Sequence, residues 1–597
     1  MSDKIFVALA WPYANGPLHV GHIAGVFLPG DIFARYHRLK GNETLMISGS
    51  DCHGTPITLC AESEGITPEQ LVQRRHLSFL KTFKTLGISF DLFTQTLTEN
   101  HYQVTQDFFH RLSESNYIYK ETMIGTWAET LQRFLPDRYI EGFCPRCDYD
   151  RARGDQCDNC GGLHDPWELI EPHSTLDGLQ VTFRETDHYF LDLGRLQPEL
   201  NAWLHSVDRS YWRHNTLQFT QNLMKEGLRG RAITRDLDWG VPIPVDNPTF
   251  NTKRFYVWFD AVIGYISATI EWAKRGGEPE KWREWWDAKT IKSDRVRSYY
   301  FLGKDNIPFH TVIWPAMLIG YGDRAMPYNV PASEFMTLEG EKMSSSRNWA
   351  IWLPDIESRY QPDQIRYYLA ANAPENRDSN WSWSDFIRRN NDELLGTWGN
   401  LAHRVTTLAW RNFGVAPEPG ELHEADRRLL TMSAEAFGKV GSLIESVKLK
   451  AALQEAMALA QRANQYLSEE RPWALIDTDR SRASAVIYTG LVVVDWLKIL
   501  LCPFLPHSSQ RLHAALGYEG LIASSPKIEK VVDPDGRERL ALTGDFSTAN
   551  RWEPVPIPAG QSLRPPEPLF LKLDESVIEQ EREHLRRQAQ NEIFKPR

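Results

Sequence analysis

The sequence predicts an α/β protein: a Rossmann-like parallel-sheet domain with a cysteine-rich insertion, followed by an all-helical domain. Three observations predict it. The first fifty residues read as strand, helix and strand. Four of the seven cysteines crowd between residues 144 and 160, in a stretch with little periodicity. Beyond about residue 386 the apolar residues fall at helical spacing and stay there.

Ile5–Ala10 is a continuous apolar run, as a parallel strand covered on both faces requires. A turn rich in Gly, Pro and Asn follows. His22–Lys40 reads as helix, with Gly41 as its stop. Glu43–Ser48 reads as a second strand that ends in the polar turn Gly49-Ser50-Asp51. Strand, helix and parallel strand in this order make a right-handed unit. Open parallel sheets bind ligands at the carboxyl ends of their strands, where both polar turns lie. Residues 120–175 are rich in Cys, Asp, Gly and Pro and read as a small metal-stapled insertion. Lys253–Ile266 reads as strand and turn again, and Ser298–Leu318 carries the same alternation. The sheet is therefore expected to be built from two segments that flank the insertion.

Leu394, Trp398, Leu401, Val405 and Leu408 step by four, three, four and three, and Leu430, Phe437, Val440, Ile444 and Val447 repeat the habit. Such stripes argue for a helical bundle. From about residue 524 the tail is Pro-rich, and it ends in the charged run Glu579–Arg587. No internal repeat is evident. Leu491–Pro506 is the most apolar late stretch, but it contains Asp495, Lys498 and Pro503, so it reads as a buried core helix and not a membrane span. The N-terminal apolar run is too short for the core of a signal peptide.

The 597 residues leave room for about three to five domains. A formal net charge of −11 gives no support to a purely electrostatic nucleic-acid binder, although a local basic face can sit on an acidic body. The uneven cysteine set points to a reducing, cytoplasmic setting and one metal site. Cys144-x2-Cys147-x9-Cys157-x2-Cys160 presents two CxxC turns. Four thiolates at this spacing suit a tetrahedral zinc ion, and a site closed by four protein ligands is structural. The competing reading is four unrelated thiols. Cys52, Cys60 and Cys502 are expected to be inert packing.

His19-x-Gly21-His22 lies where the first strand turns into the first helix. A helix N-terminus offers unpaired N–H groups and a favourable dipole to phosphate. Two histidines there can donate hydrogen bonds to a phosphoryl transition state, and Gly21 lets the backbone come close to a nucleotide. On its own the pattern also reads as a turn with two incidental histidines. In Glu341–Arg347, Lys342 precedes Ser344, Ser345 and Ser346. A lysine followed by hydroxyls suits a loop that grips polyphosphate; alone it reads as a solvated turn.

In this order, HxGH and KMSxS together resemble the paired signature of class I aminoacyl-tRNA synthetases. The resemblance implies that a carboxylate attacks the α-phosphate of ATP and pyrophosphate leaves. That step needs positioning and charge stabilisation more than a covalent nucleophile. The segments ALAWPYANGPLHVGH, GSDCHGTPI, RFLPDRYIEG, WELIEP, RDLDWGVPIP, FYVWFDAVIGY, FLGKDNIPFHTVIWPAML and EGEKMSSSR stand in the order found in methionyl-tRNA synthetases. The resemblance runs from the N-terminus to about residue 500.

It implies a methionine pocket made of Ala10, Trp11, Tyr13, Asp51, Trp258, Ala261, Val262, Tyr265, Phe309 and His310. A soft thioether packs well on aromatic rings, and Asp51 at a strand end can pair with the substrate's ammonium group. Plain core packing is the alternative for these aromatics. The resemblance further implies catalytic roles for His19, His22, Lys342 and Arg235. It assigns ATP to His19, Gly21, His22, Lys304, Lys342, Ser345 and Arg347, with magnesium on the phosphates. In the helical region it implies that Asn400 and Arg404, one turn apart on one face, read the CAU anticodon with Pro472 and the stacking residue Trp473. A surface Asn/Arg pair and a core tryptophan is the plain alternative.

Two positions depart from the family pattern. Ser345 stands where the family's KMSKS motif has its second lysine, so Lys342 or Arg347 must supply that charge. Val262 replaces a proline beside the pocket, which alters packing without changing specificity. Some relatives carry a second zinc knuckle; here Trp127 and Thr130 occupy that region, so one zinc is expected.

The expected organisation is a Rossmann-like catalytic domain in two halves, 1–118 and 251–328, around a connective insertion, 119–250, with its zinc knuckle at about 141–163. A linking region with the KMSKS-like loop (329–388), a helical anticodon-binding domain (389–523) and a C-terminal extension (524–597) follow. The implied partners are methionine, ATP and tRNA-Met, both elongator and initiator. The chain is expected to be a monomer with no membrane partner. Three rivals differ. Leucine, isoleucine and valine enzymes carry a large editing insertion for which residues 120–250 leave no space, and cysteine enzymes bind substrate with a zinc in the pocket. Nucleotidyltransferases that share HxGH are much shorter. A non-catalytic RNA-binding zinc protein would not need both phosphate motifs.

Overall fold

The computed structural model describes residues 3–154, 157, 159–160, 164–290, 296–344, 347–533, 536–548 and 550–590. Strand β1 (Lys4–Leu9) sends Ile5, Val7 and Leu9 into one apolar cluster, while Phe6 and Ala8 enter another on the opposite face. A strand covered on both faces has to read as an unbroken apolar run, as this one does. The chain then turns through Val20–His22 and a widened turn at Ile23–Phe27 into helix α1 (Leu28–Leu39). Gly41 stops it at φ +87°, a conformation that favours glycine. Strands β2 (Glu43–Ser50) and β3 (Leu92–Gln95) follow.

The insertion rises on a long antiparallel pair, β4 (Ile118–Ala128) and β5 (Thr182–Leu191). The chain returns through helix α2 (Val257–Arg275), β6 (Val296–Gly303) and β7 (Ala332–Ser333). Helix α3 (Pro362–Ala371) leads to the helical region: α4 (Asn400–Phe413), α5 (Glu424–Glu445), α6 (Leu449–Glu470) and α7 (Arg480–Leu501). A hairpin, β8 (Lys527–Val532) and β9 (Glu538–Thr543), and helix α8 (Val577–Gln590) complete the described chain.

The main sheet has the order β7-β6-β1-β2-β3-β9-β8. Its first five strands are parallel, whereas β9 runs antiparallel to β3 and β8 antiparallel to β9. The strand order turns at β1, with β2 on one side and β6 on the other. The carboxyl ends of β1 and β6 therefore frame the crevice where such sheets bind ligands.

Two expectations are corrected. Lys253–Ile266 is strand only over Lys253–Phe255; from Val257 it is helix α2. The helix buries residues on every side, from Trp258 to Ala273, so no polar stripe betrays its period. Ser298–Leu318 leaves the strand at Gly303 and becomes helical turns up to Tyr321. The described part of the tail beyond residue 524 packs back on the molecule. Its hairpin extends the main sheet, and α8 packs back on the segment around Arg359, through Arg359 and Tyr360 to Glu581.

A buried guanidinium ties the helical region to two helices of the α/β part. Arg366 on α3 donates to Asp31 Oδ2 (2.7 Å) and Leu86 O (3.0 Å) on one side, and to Pro503 O (2.8 Å) and Phe504 O (2.8 Å) on the other. Helix α7 is long and apolar enough to cross a membrane, but 89% of its most apolar window is buried inside the protein, as a core helix is.

Candidate active site

His19 caps the turn that leads into α1, and the two histidines hold each other in place. Gly21 N donates to His19 Nδ1 (3.1 Å), and His19 N donates to His22 Nδ1 (3.1 Å). The rings lie 3.8 Å apart. With both Nδ1 atoms accepting, each neutral ring carries its proton on Nε2. Burial holds His22 down to about 4; burial, and then the charge of His22, hold His19 well below the usual histidine range. The pair is therefore two neutral donors. A side chain at Gly21 would also crowd the pair, for a Cβ there would meet the His19 ring at 2.9 Å.

The loop with the lysine stands beside this turn. The same Cβ would come within 3.7 Å of Met343 Sδ, and Trp352 packs 6.0 Å from the His19 ring. Lys342 and Lys304 both lie over the Phe335 ring, at 5.4 and 4.1 Å. Lys304 also pairs with Glu334 (2.6 Å) and Asp378 (3.2 Å). Arg347 is exposed and donates to Lys342 O (3.4 Å). Ser345 lies outside the described residues.

A cavity of about 610 Å³ opens at the carboxyl ends of β1 and β6. All ten residues expected for a methionine pocket line it: Ala10, Trp11, Tyr13, Asp51, Trp258, Ala261, Val262, Tyr265, Phe309 and His310. His22 and Arg235 line it as well, whereas His19, Lys304 and Lys342 stand outside it. Trp11 lies in a slot between two glycines, for a Cβ on Gly49 or Gly264 would fall 2.1 or 2.6 Å from its ring. Arg235 rests on Tyr256 (4.3 Å) and donates to Thr234 O (3.0 Å).

Asp51 is buried, and its Oδ1 has no hydrogen-bond partner among the described residues. Burial raises this carboxyl well above the usual range, and the charge of Asp260 raises it further. An arriving ammonium would supply both the missing partner and the missing counter-charge. Two residues here escaped the sequence reading. Asp260 accepts from His53 Nδ1 (2.7 Å), and both are buried. The signal was present: an acid between Phe259 and Ala261, in a run otherwise apolar, is buried and needs a partner.

The four cysteines of the insertion converge. All four Sγ atoms lie within 4.8 Å of one another, with Cys144–Cys160 at 3.8 Å and Cys147–Cys157 at 3.7 Å. A disulfide would need about 2.05 Å. The edge of a thiolate tetrahedron around zinc, from Zn–S bonds of about 2.3 Å, is about 3.8 Å. The donor set and spacing could hold a structural zinc. The Asn159 amide, with the Tyr149 backbone N–H, draws the Cys147 thiol down to about 6. Cys52 and Cys502 are buried with raised pKa values, in keeping with packing thiols.

In the helical region Arg404 stands 5.2 Å over the ring of Trp473, which is 42% exposed. Asn400 is exposed one turn earlier on α4, and Pro472 opens the short helix Pro472–Leu475. The plain reading of Trp473 as core is excluded by that exposure.

The family described as tRNA synthetases class I (M) matches residues 5–406, and the anticodon binding domain of methionyl tRNA ligase matches residues 416–531. A methionine–tRNA ligase of Roseiflexus sp. (strain RS-1) is 65% identical over 97% of this chain and 98% of its own length. One from Thermomicrobium roseum is 50% identical over 99% of this chain and 100% of its own length. Among solved structures, the Mycobacterium tuberculosis methionyl-tRNA synthetase in complex with methionyl-adenylate is 25% identical, with a TM-score of 0.73 over 96% of this chain and 100% of that one. With both halves matched and relatives this similar along nearly its whole length, the chain belongs to the class I tRNA synthetases (M), the family of the methionine–tRNA ligases.

Proposed function

We propose that this chain is a methionine–tRNA ligase that activates L-methionine with ATP to methionyl-adenylate, releases pyrophosphate, and transfers methionine to the 3′ end of tRNA-Met. One observation carries the assignment of the site. A buried carboxyl with one oxygen lacking a partner, Asp51 at the end of β2, and an aromatic cavity meet next to the paired donors of His19 and His22.

In this reading Asp51 takes the ammonium group, and the side chain lies among Ala10, Trp11, Tyr13, Trp258, Ala261, Val262, Tyr265, Phe309 and His310. The methionine carboxylate is then free to attack the α-phosphate. His19 and His22, neutral and proton-bearing at Nε2, donate to the phosphoryl oxygens without a charge that must first be neutralised. Lys342, Lys304 and Arg347 bring the positive charge that the leaving pyrophosphate needs, Gly21 and Ser345 complete the residues assigned to ATP, and magnesium accompanies the nucleotide. Arg235, at the cavity wall, faces the reaction centre. Asn400, Arg404, Pro472 and Trp473 take the anticodon of elongator and initiator tRNA-Met, with Trp473 as stacking platform. Cys144, Cys147, Cys157 and Cys160 hold one zinc ion, which staples the insertion. The chain acts as a cytoplasmic monomer, organised in the six segments set out above.

The test is methionine-dependent exchange of labelled pyrophosphate into ATP, with leucine, isoleucine, valine and cysteine as controls. Exchange with methionine alone is expected. No exchange with any of the five would sink the reading and favour an RNA-binding zinc protein.

A further inference from the structure

Helix α8 reaches across the molecule to the loop that carries Lys342, and grips it on both flanks. Before the lysine, Arg582 Nη2 donates to Glu339 Oε2 (3.2 Å), and Glu339 also accepts from Trp383 N (2.8 Å). After it, Gln588 Nε2 donates to Asn348 O (2.9 Å) and Ala350 O (2.7 Å), while Asn348 Nδ2 donates back to Gln588 O (2.7 Å). The grip passes on to the histidine turn. Asn348 Oδ1 accepts from Trp352 Nε1 (2.9 Å), and Trp352 packs against His19. Between the flanks, Ser344 and Trp349 exchange backbone hydrogen bonds of 2.9 Å each, which closes the turn. The helix itself is anchored independently: Glu581 accepts from Arg359 (2.7 and 3.0 Å) and Tyr360 (2.8 Å), and Leu585 is buried.

We infer that Gln588 is a positioning residue for the adenylate-forming step, holding the Asn348–Ala350 backbone so that Lys342 and His19 face the same phosphates. The inference rests on the proposed function. A short loop held at one flank can rotate about it; held at both, it keeps its lysine in register with the histidine turn. Positioning of this kind affects the chemical step and leaves substrate affinity alone. It makes the last described helix part of the catalytic geometry without any contact with substrate.

Gln588→Glu keeps the shape but sets a carboxylate against two carbonyl oxygens, and Gln588→Met keeps the length with no donor. Arg587→Gln, on the exposed side of the same helix, is the control. In the full chain, both Gln588 variants are expected to lower kcat for methionine-dependent pyrophosphate exchange about tenfold, with the methionine Kd and the melting temperature unchanged. Amide hydrogen exchange at Ser344 and Trp349 should quicken by a similar factor. Wild-type rates of both kinds in the Gln588 variants would overturn the inference, as would a loss of rate matched by equal losses of methionine affinity and stability. If the wild-type chain shows no exchange with methionine, the proposed function fails. The clamp is then judged on the Ser344 and Trp349 amides alone, where unchanged protection overturns it.

Discussion

Tyr265 and His310 share a hydrogen bond of 2.6 Å at the wall of the cavity, and its direction is fixed. His310 Nδ1 lies 2.9 Å from Asn306 O, a carbonyl that can only accept, so Nδ1 carries the proton and the Tyr265 hydroxyl donates to Nε2. Burial keeps the His310 ring neutral, down to about 4. Tyr265→Phe therefore leaves a buried acceptor unpaired. The expected cost is about 1–3 kcal/mol of stability, with a several-fold rise in the methionine KM as the ring loses its stop. Urea unfolding and steady-state exchange read the two; a variant as stable as wild type would mean that water reaches Nε2.

Lys342 touches no wall of the cavity. Lys342→Ala should slow adenylate formation by about a hundredfold or more, the scale for losing one charge-stabilising donor. The methionine Kd should stay within about twofold of wild type. Single-turnover kinetics against equilibrium titration separates the two, and equal losses in both would remove the assigned role.

Trp473→Ala should leave pyrophosphate exchange intact, while kcat/KM for charging tRNA falls by about tenfold to a hundredfold, as expected for one lost base stack. Normal charging by this variant would take Trp473 out of the tRNA interface.

Elemental analysis should find one zinc per chain, held at Cys144, Cys147, Cys157 and Cys160. Cys157→Ser, at one of the two buried corners of the quartet, should abolish it and lower the melting temperature. Two ions per chain, or full zinc retention in the variant, would contradict the four-thiolate site.

His76 ties the helix Pro68–Leu86 to two strands, through Ser50 Oγ (2.7 Å) and Leu540 O (2.9 Å). Burial lowers it to about 4. The folded chain keeps it neutral where the unfolded chain, at about 6.5, takes up a proton. Its contribution is thus complete above about pH 6.5 and is lost as the pH falls towards 4. The stability gap between wild type and His76→Gln should shrink by about 2–3 kcal/mol between about pH 7.5 and 4.5. Urea melts at the two values measure it, and a constant gap would refute the neutral buried ring.

The parts of this fold that were legible in the sequence are those whose signal is local. Ile5–Ala10 announces a strand buried on both faces, and the stripe from Leu394 to Leu408 announces an amphipathic helix. Helix α2 was not legible, because a helix buried on every side has no polar face to mark its turns. The hairpin at residues 527–543 was not legible either, since its partner strand β3 lies more than four hundred residues earlier. The site divides in the same way. The cysteine quartet has spacing that speaks for itself, whereas the HxGH turn became informative only together with the lysine loop that follows it in the sequence. The pocket aromatics were expected only from the resemblance, and the pairing of His53 with Asp260, 207 residues apart, forms only in the folded chain.

The pairing of β9 with β3, Leu542 opposite Phe93, also sets a schedule for the nascent chain. A ribosome adding about 5–20 residues per second takes on the order of half a minute to go from one strand to the other. Throughout that interval β3 has an open edge, able to recruit a strand from a neighbouring polysome chain. The enzyme is therefore expected to depend on chaperones during synthesis more than its many local helices would suggest. Nonsense or frameshift products that stop before residue 538 should go to inclusion bodies, even though they contain every residue of the cavity.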